Sequence, residues 1–207
     1  MIPADIENKS FEIIKAEAGD HGFSSDQWTV VSRMIHTSAD FDYLKTVSFH
    51  HEAIVAGIKA IRSGKNIITD THMAEAGIRK SDLAKFGCRL MCLIDSPDVI
   101  ETAGREKTTR ARAAVDAAVE FIKGGIYVVG NAPTALLRLL ELVREQKAAP
   151  SLIIGLPVGF VNAEESKDAL IDAGACVPYI TSVGRKGGSN VAAAVVNALI
   201  LISIKEI

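Results

Sequence analysis

The chain has 207 residues, of which 48% are hydrophobic and 23% charged. That is the make-up of an ordinary globular domain and excludes a disordered, collagen-like or coiled-coil chain. Lys and Arg number 23 against 25 Asp and Glu, a formal charge of −2, so there is no basic excess of the kind a generic nucleic-acid binder carries.

The first fifteen positions include Asp5, Glu7, Glu12 and Lys15. No uninterrupted apolar stretch follows a basic start, which argues against a secretory signal. Helical spacing of apolar residues then predicts helices over 6–18 (Ile6, Phe11, Ile14), 26–38 (Trp28, Val31, Ile35) and 51–62 (Ile54, Ile58, Ile61). A turn at Ser63-Gly64 leads to the short apolar run Ile67-Ile68-Thr69. Further runs follow at Leu90–Ile94, Ile126–Val129, Leu152–Ile154 and Val177–Thr181, each bounded by turn residues, as buried strands are. Between them fall helices over 109–123, with Thr108 or Thr109 as cap, and 133–146, with Pro133 at the first position. Two more follow good capping residues, 163–173 after Asn162 and 190–200 after Ser189. The apolar segment Val191–Ile204 is shorter than the ~20 residues a bilayer crossing needs and reads as a buried helix.

Short buried runs alternating with helical ones predict an α/β fold on a mainly parallel sheet. Right-handed crossovers place helices on both faces, giving a three-layer α/β/α architecture in a single domain over residues 1–207. Three cysteines, Cys88, Cys92 and Cys176, are too few for a disulfide framework and fit a reducing compartment. The expectation is a cytoplasmic protein with no membrane or nucleic-acid partner.

Ligands of such sheets bind beyond the carboxyl ends of the strands. Three loops in that position stand out: Gly130–Pro133, Gly155–Phe160 and Gly184–Ser189. The last joins glycines to Arg185 and Lys186 ahead of a helix, which reads either as an anion clamp or as a tight turn with solvated charges. The segment from Lys107 to Arg112 is a second basic edge. No dinucleotide fingerprint, Walker motif or nucleophile elbow is present. Among five histidines, His36 stands near a helix end, where an imidazole can exchange a proton near neutral pH. His50-His51-Glu52 has no convincing further ligand, and Cys88 and Cys92, four apart on one predicted strand, lack companions for zinc. The residues alone give an α/β domain with an anion-friendly rim and one acid/base candidate.

Taken together, Arg33-Met34-Ile35-His36, Thr108-Thr109-Arg110, Gly130–Leu136, Gly155–Val161, Glu165–Leu170 and Gly187-Gly188-Ser189 stand in the order seen in precorrin-8X methylmutases. The resemblance runs from Ser10 to Leu199. It implies an isomerase that moves a methyl group from C-11 to C-12 of (cobalt-)precorrin-8, giving cobyrinate or hydrogenobyrinate, without S-adenosylmethionine or another cofactor and without a protein-bound metal. It implies a homodimer with the corrinoid substrate at the subunit boundary. By the same resemblance His36 is the catalytic residue, and Ser10, Arg33 and Arg110 contact substrate. Thr108, Thr109, Lys186, Gly187, Gly188 and Ser189 build the binding rim, and Leu156, Val158 and Phe160 supply an apolar wall. The stretch Thr37–Asp42 departs from the Ala-Cys-Gly of the cobalt-late branch and favours a cobalt-containing substrate. The alternatives are a non-catalytic corrinoid carrier and an unrelated small-anion enzyme on the same fold.

Overall fold

In the computed structural model, which describes residues 3–205, the short apolar runs become strands of one sheet. These are β1 (Val47–Phe49), β2 (Ile67–Thr69), β3 (Leu90–Cys92), β4 (Ile126–Val129), β5 (Leu152–Gly155) and β6 (Tyr179–Ser182), in the order β1-β6-β5-β4-β2-β3. Every pairing is parallel except β1 with β6, an antiparallel edge. Successive side chains on a strand point to opposite faces. Thus Ile67, Ile126, Val128, Leu152, Ile154 and Ile180 enter one core, while Ile68, Tyr127, Val129, Ile153 and Tyr179 enter the other. Burial on both faces is why these runs are continuously apolar rather than alternating.

One face is covered by α4 (Ala53–Arg62) and α11 (Ser189–Lys205), with α5 (His72–Gly77) packed beside α11. The other carries α8 (Arg110–Ile122), α9 (Pro133–Arg144) and α10 (Ala163–Asp172), and α7 (Pro97–Glu106) packs on α8. The three predicted layers are therefore present. Outside α11 lies an additional tier: α2 (Ser25–Ser38) packs on α11, and α1 (Pro3–Ala18) packs on α2. Buried from two sides, α11 hides 11 of its 17 residues, which explains its lack of a polar face. No helix among the described residues is long and apolar enough to cross a membrane.

Several boundaries differ from the sequence expectation. Strand β1 and helix α7 were not anticipated, nor were the short α3 (Tyr43–Thr46), α5 and α6 (Lys80–Ala84). Cys88 precedes β3, so Cys88 and Cys92 do not share a strand. Asn162 precedes α10 in a left-handed conformation, φ 61°, and its side chain makes no capping bond. Ser189 is itself the first residue of α11, and its hydroxyl bonds Thr71 Oγ1 at 2.8 Å instead of capping. The reverse of direction in strand order falls at β2, whose neighbours are β3 and β4.

Candidate active site

Helix α2 begins with a capping box, Ser24 with Gln27, and ends where Ala39 turns left-handed at φ 53°. Its buried face holds Val30, Val31, Met34 and Ile35. That leaves Arg33 and His36, three apart and hence neighbours on a helix, on the outer side near the last turn. From α1, Phe11 stacks on the His36 imidazole, with ring centroids 4.8 Å apart and planes 20° apart. The Arg33 guanidinium lies over the same Phe11 ring, 5.1 Å from its centroid, and Nη2 donates to Glu7 Oε1 at 3.2 Å. Neither His36 ring nitrogen has a hydrogen-bond partner among the described residues. The imidazole is thus held by one face and open at its nitrogens.

His36 separates two cavities. One, about 440 Å³, is lined with Ser10, Ile13, Ile14, Ala39 and Phe41. The other, about 240 Å³, is lined with Arg33, Thr37, Asn190, Ala193 and Asn197. Ser10 and Arg33 thus each line a cavity that His36 also lines. The Ser10 hydroxyl donates to the Ile6 carbonyl at 2.9 Å and keeps its lone pairs for a ligand.

The β6–α11 loop meets this helix end through charge. Lys186 Nζ donates to Asp40 Oδ2 at 2.7 Å and to Asp42 Oδ2 at 2.5 Å, pinning the loop to the residues just after α2. These bonds hold the Lys186 ammonium well above the usual lysine range, and Lys186 holds the Asp40 carboxyl below the usual carboxylate range. The amides of this loop also serve the protein. Gly188 N donates to the Leu156 carbonyl at 2.9 Å, so it is not free for a substrate carboxylate. A Cβ on Gly187 would stand 2.3 Å from the Leu156 oxygen, so glycine is required there for close approach of two loops. Gly188 N is thus taken by the chain itself, which corrects the anion-clamp expectation for that amide, while the half-exposed Lys186 ammonium is shared with two carboxylates of the chain. Beneath the loop, the fully buried Lys167 donates from Nζ to the Lys186 carbonyl at 2.7 Å. Burial pushes its amine down to about 8.

At the switch point, Asp70 follows β2 and is 1% exposed. Its carboxylate accepts from the amides of Gly130, Asn131 and Ala132 at 2.8, 2.9 and 2.8 Å. Burial pushes this carboxyl up, and the three amides pull it back. The nest after β4 that resembled a ligand loop is filled by the protein's own acid. A charged residue directly after a buried run was the signal for Asp70, and the sequence reading did not use it. On the far layer, Thr109 caps α8 by accepting from Arg112 N and bonds Thr134 Oγ1 at 3.0 Å. Thr108 is half-buried, and its amide donates to the Ala103 carbonyl. Arg110 is exposed and makes no hydrogen bond or ion pair among the described residues. Neither cavity beside His36 contains these three residues.

The proposed wall is corrected in one residue. Leu156 is fully buried and belongs to the core under α11, whereas Val158 and Phe160 are 42% and 85% exposed. Val161 joins them at 77%, and the Arg185 guanidinium lies 5.6 Å from the Phe160 ring centroid.

Comparison with known proteins bears on this arrangement. A family model described as precorrin-8X methylmutase matches residues 5–202. A cobalt-precorrin-8 methylmutase from Priestia megaterium is 48% identical over 201 residues, 97% of this chain and 88% of that one. Another from Leptospira interrogans is 44% identical, covering 98% and 94%. The crystal structure of precorrin-8x methyl mutase from Thermus thermophilus superposes with a TM-score of 0.91 at 45% identity, covering 98% of this chain and 97% of that one.

Proposed function

Because the chain belongs to the precorrin-8X methylmutase family, we propose that it is an isomerase of cobalamin biosynthesis acting at His36. The reaction moves a methyl group from C-11 to C-12 of the macrocycle. The bond to C-11 breaks, the bond to C-12 forms, and no external methyl donor enters, so substrate and product have the same mass. The observation that carries the assignment of His36 is its setting: stacked on Phe11, flanked by Arg33 and Ser10, and open at both nitrogens. A ring fixed by one face offers an N–H in one direction, as general acid catalysis or hydrogen bonding to a developing charge requires. A proton lent to the macrocycle is returned on product formation, so none is consumed.

Arg33 binds a peripheral carboxylate of the substrate, since a guanidinium matches a carboxylate through two parallel hydrogen bonds. Ser10 offers a polar contact across His36. Arg110, exposed and without a hydrogen bond or ion pair among the described residues, takes a second carboxylate. Thr108, Thr109, Gly187, Gly188 and Ser189 shape the rim, and Lys186 fixes its loop to the end of α2. A cobalt-containing substrate is favoured by the stretch Thr37–Asp42 and by the names of the two relatives above. We further read the protein as a cytoplasmic homodimer. Val158, Phe160 and Val161, exposed on one loop, support a subunit contact there.

Anaerobic incubation with cobalt-precorrin-8, followed by absorbance and mass, tests the assignment. The expected result is a changed spectrum at unchanged mass. His36→Ala is expected to lower turnover by about 10²–10⁴-fold, the range for a lost acid/base group, while pigment still binds. Equal turnover in the variant refutes the role of His36. Bound but unconverted pigment in the wild type points instead to the corrinoid carrier.

A further inference from the structure

We infer that His72, Glu75 and Cys92 form a binding site for a divalent transition-metal ion of the zinc class, with Asp95 orienting the histidine. None of these residues lines either cavity beside His36, and the proposal does not depend on the functional reading above. His72 and Glu75 lie three apart on α5 and so share a helix face. Cys92 ends β3, the strand beside the β2 that feeds α5. One ring nitrogen, one carboxylate oxygen and the Cys92 Sγ all lie within 4.8 Å of one another. Metal–ligand bonds of about 2.0–2.3 Å put the ligand atoms of a tetrahedral site roughly 3–4 Å apart, so small side-chain rotations close the set.

The surrounding contacts match what a metal-ligating histidine needs. His72 Nδ1 lies 2.9 Å from Glu75 Oε2, and Nε2 lies 2.9 Å from Asp95 Oδ1. A carboxylate on the distal nitrogen fixes the tautomer and strengthens the other nitrogen as a donor. Lys80 Nζ pairs with Glu75 Oε1 at 3.1 Å, leaving Oε2 to face the histidine and the thiol. Mixed nitrogen, oxygen and sulfur donors suit zinc or cobalt(II) rather than magnesium or calcium. Three protein ligands leave a fourth position to solvent. Binding releases the thiol proton to water. An ion-pair network of His72 with Glu75 and Asp95 accounts for three of these residues; the Cys92 thiol stands beside it, half-buried and hydrogen-bonded with Thr69. The other such cluster, His50, His51 and Glu52, comes from three consecutive residues and offers no thiol.

The test uses the full chain carrying Cys176→Ser, which removes the exposed thiol. Cobalt(II) is titrated under reducing, anaerobic conditions and followed by absorbance. The expected result is a sulfur-to-cobalt charge-transfer band that saturates at one equivalent and is displaced by zinc. Cys92→Ser and His72→Ala abolish the band with unchanged far-UV circular dichroism, and Asp95→Asn weakens affinity about 10–100-fold. His51→Ala leaves it unchanged. Absence of the band in the parent protein shows an ion-pair network only and overturns the inference. So does a band that survives Cys92→Ser or is lost in His51→Ala.

Discussion

Replacing Lys167 by Met separates what this buried amine costs the fold from what it gives the rim. Lys167 is fully buried, and its Nζ donates to the Lys186 carbonyl at 2.7 Å. Desolvation lowers its pKa from 10.5 to about 8 against the opposing pull of Glu164 and Asp168. That displacement is worth about 3 kcal/mol. Below pH 8 the amine is charged in both folded and unfolded chains, and the folded state bears the full cost. Between pH 8 and 10.5 the unfolded chain binds more protons than the folded one, so stability rises with pH through this window. Methionine has similar length and no charge. The Lys186 carbonyl keeps a donor in Ser182 Oγ at 3.0 Å, so the lost bond costs only about 1 kcal/mol. Lys167→Met is therefore expected to be more stable than wild type at pH 7 by about 2 kcal/mol, or roughly 4–8 °C in Tm for a chain of this size. Replacement of buried charge by apolar groups has this sign in other folds. Urea denaturation of both proteins from pH 7 to 10, at constant m-value, measures the difference. The gap should narrow as pH rises through 8. A variant less stable than wild type at pH 7, or a gap independent of pH, refutes the reasoning. The same substitution removes a tether of the β6–α11 loop, and KM for the corrinoid should rise about 3–10-fold.

Three further outcomes are expected. Asp70→Ala strips a shared acceptor from the amides of Gly130, Asn131 and Ala132. Only the first of these is fully buried, so the loss should be about 3–4 kcal/mol, read as a lower urea midpoint. Gly187→Ala forces a Cβ to within 2.3 Å of the Leu156 oxygen; it should displace the β6–α11 loop and raise KM at least tenfold, measured by steady-state kinetics. Phe11→Ala removes the ring stacked on His36, a contact worth about 0.5–1.5 kcal/mol. It should lower kcat several-fold more than it raises KM, with far-UV circular dichroism unchanged.

What the sequence made legible was local. Ile126–Val129 and Leu152–Ile154 read as strands because burial on both sheet faces makes every position apolar. Strand β1 escaped notice because Val47–Phe49 is a half-buried edge of three residues, too short for any period to register. Helices α5 and α6, of six and five residues, escaped for the same reason. His36 and Arg33 were visible through the family motif, and their placement side by side on α2 came from the structure. Phe11 was assigned to a core stripe, where its apolar character alone would place it. Its stacking on His36 depends on α1 packing against α2, which no local pattern encodes.

The rim charges teach the complementary lesson. Lys186 and Asp40 are 146 positions apart in sequence yet 2.7 Å apart in space. A basic residue in a glycine loop looks like a ligand's partner until the fold supplies a nearer acid. The same holds for the nest after β4, where Asp70 takes the place an external anion would occupy. These internal pairs place Lys186 and the amides of Gly130, Asn131 and Ala132 in service of the chain's own loops. Among the described residues Arg110 makes no hydrogen bond or ion pair, and Arg33 makes one ion pair, to a half-exposed glutamate. An exposed ion pair is worth only about 0–1 kcal/mol, so a carboxylate offering two bonds to Arg33 displaces Glu7 with little loss. On the proposed reading, Arg33 and Arg110 exchange their present surroundings for substrate carboxylates, while the paired residues keep the rim in shape. Charge reversal at Glu7 tests this division. Glu7→Lys should raise KM through repulsion of Arg33 and leave the thermal midpoint nearly unchanged, whereas Asp40→Lys should disturb the loop and lower both affinity and stability. Equal effects of the two substitutions on the midpoint would show that the pairs do not differ in kind.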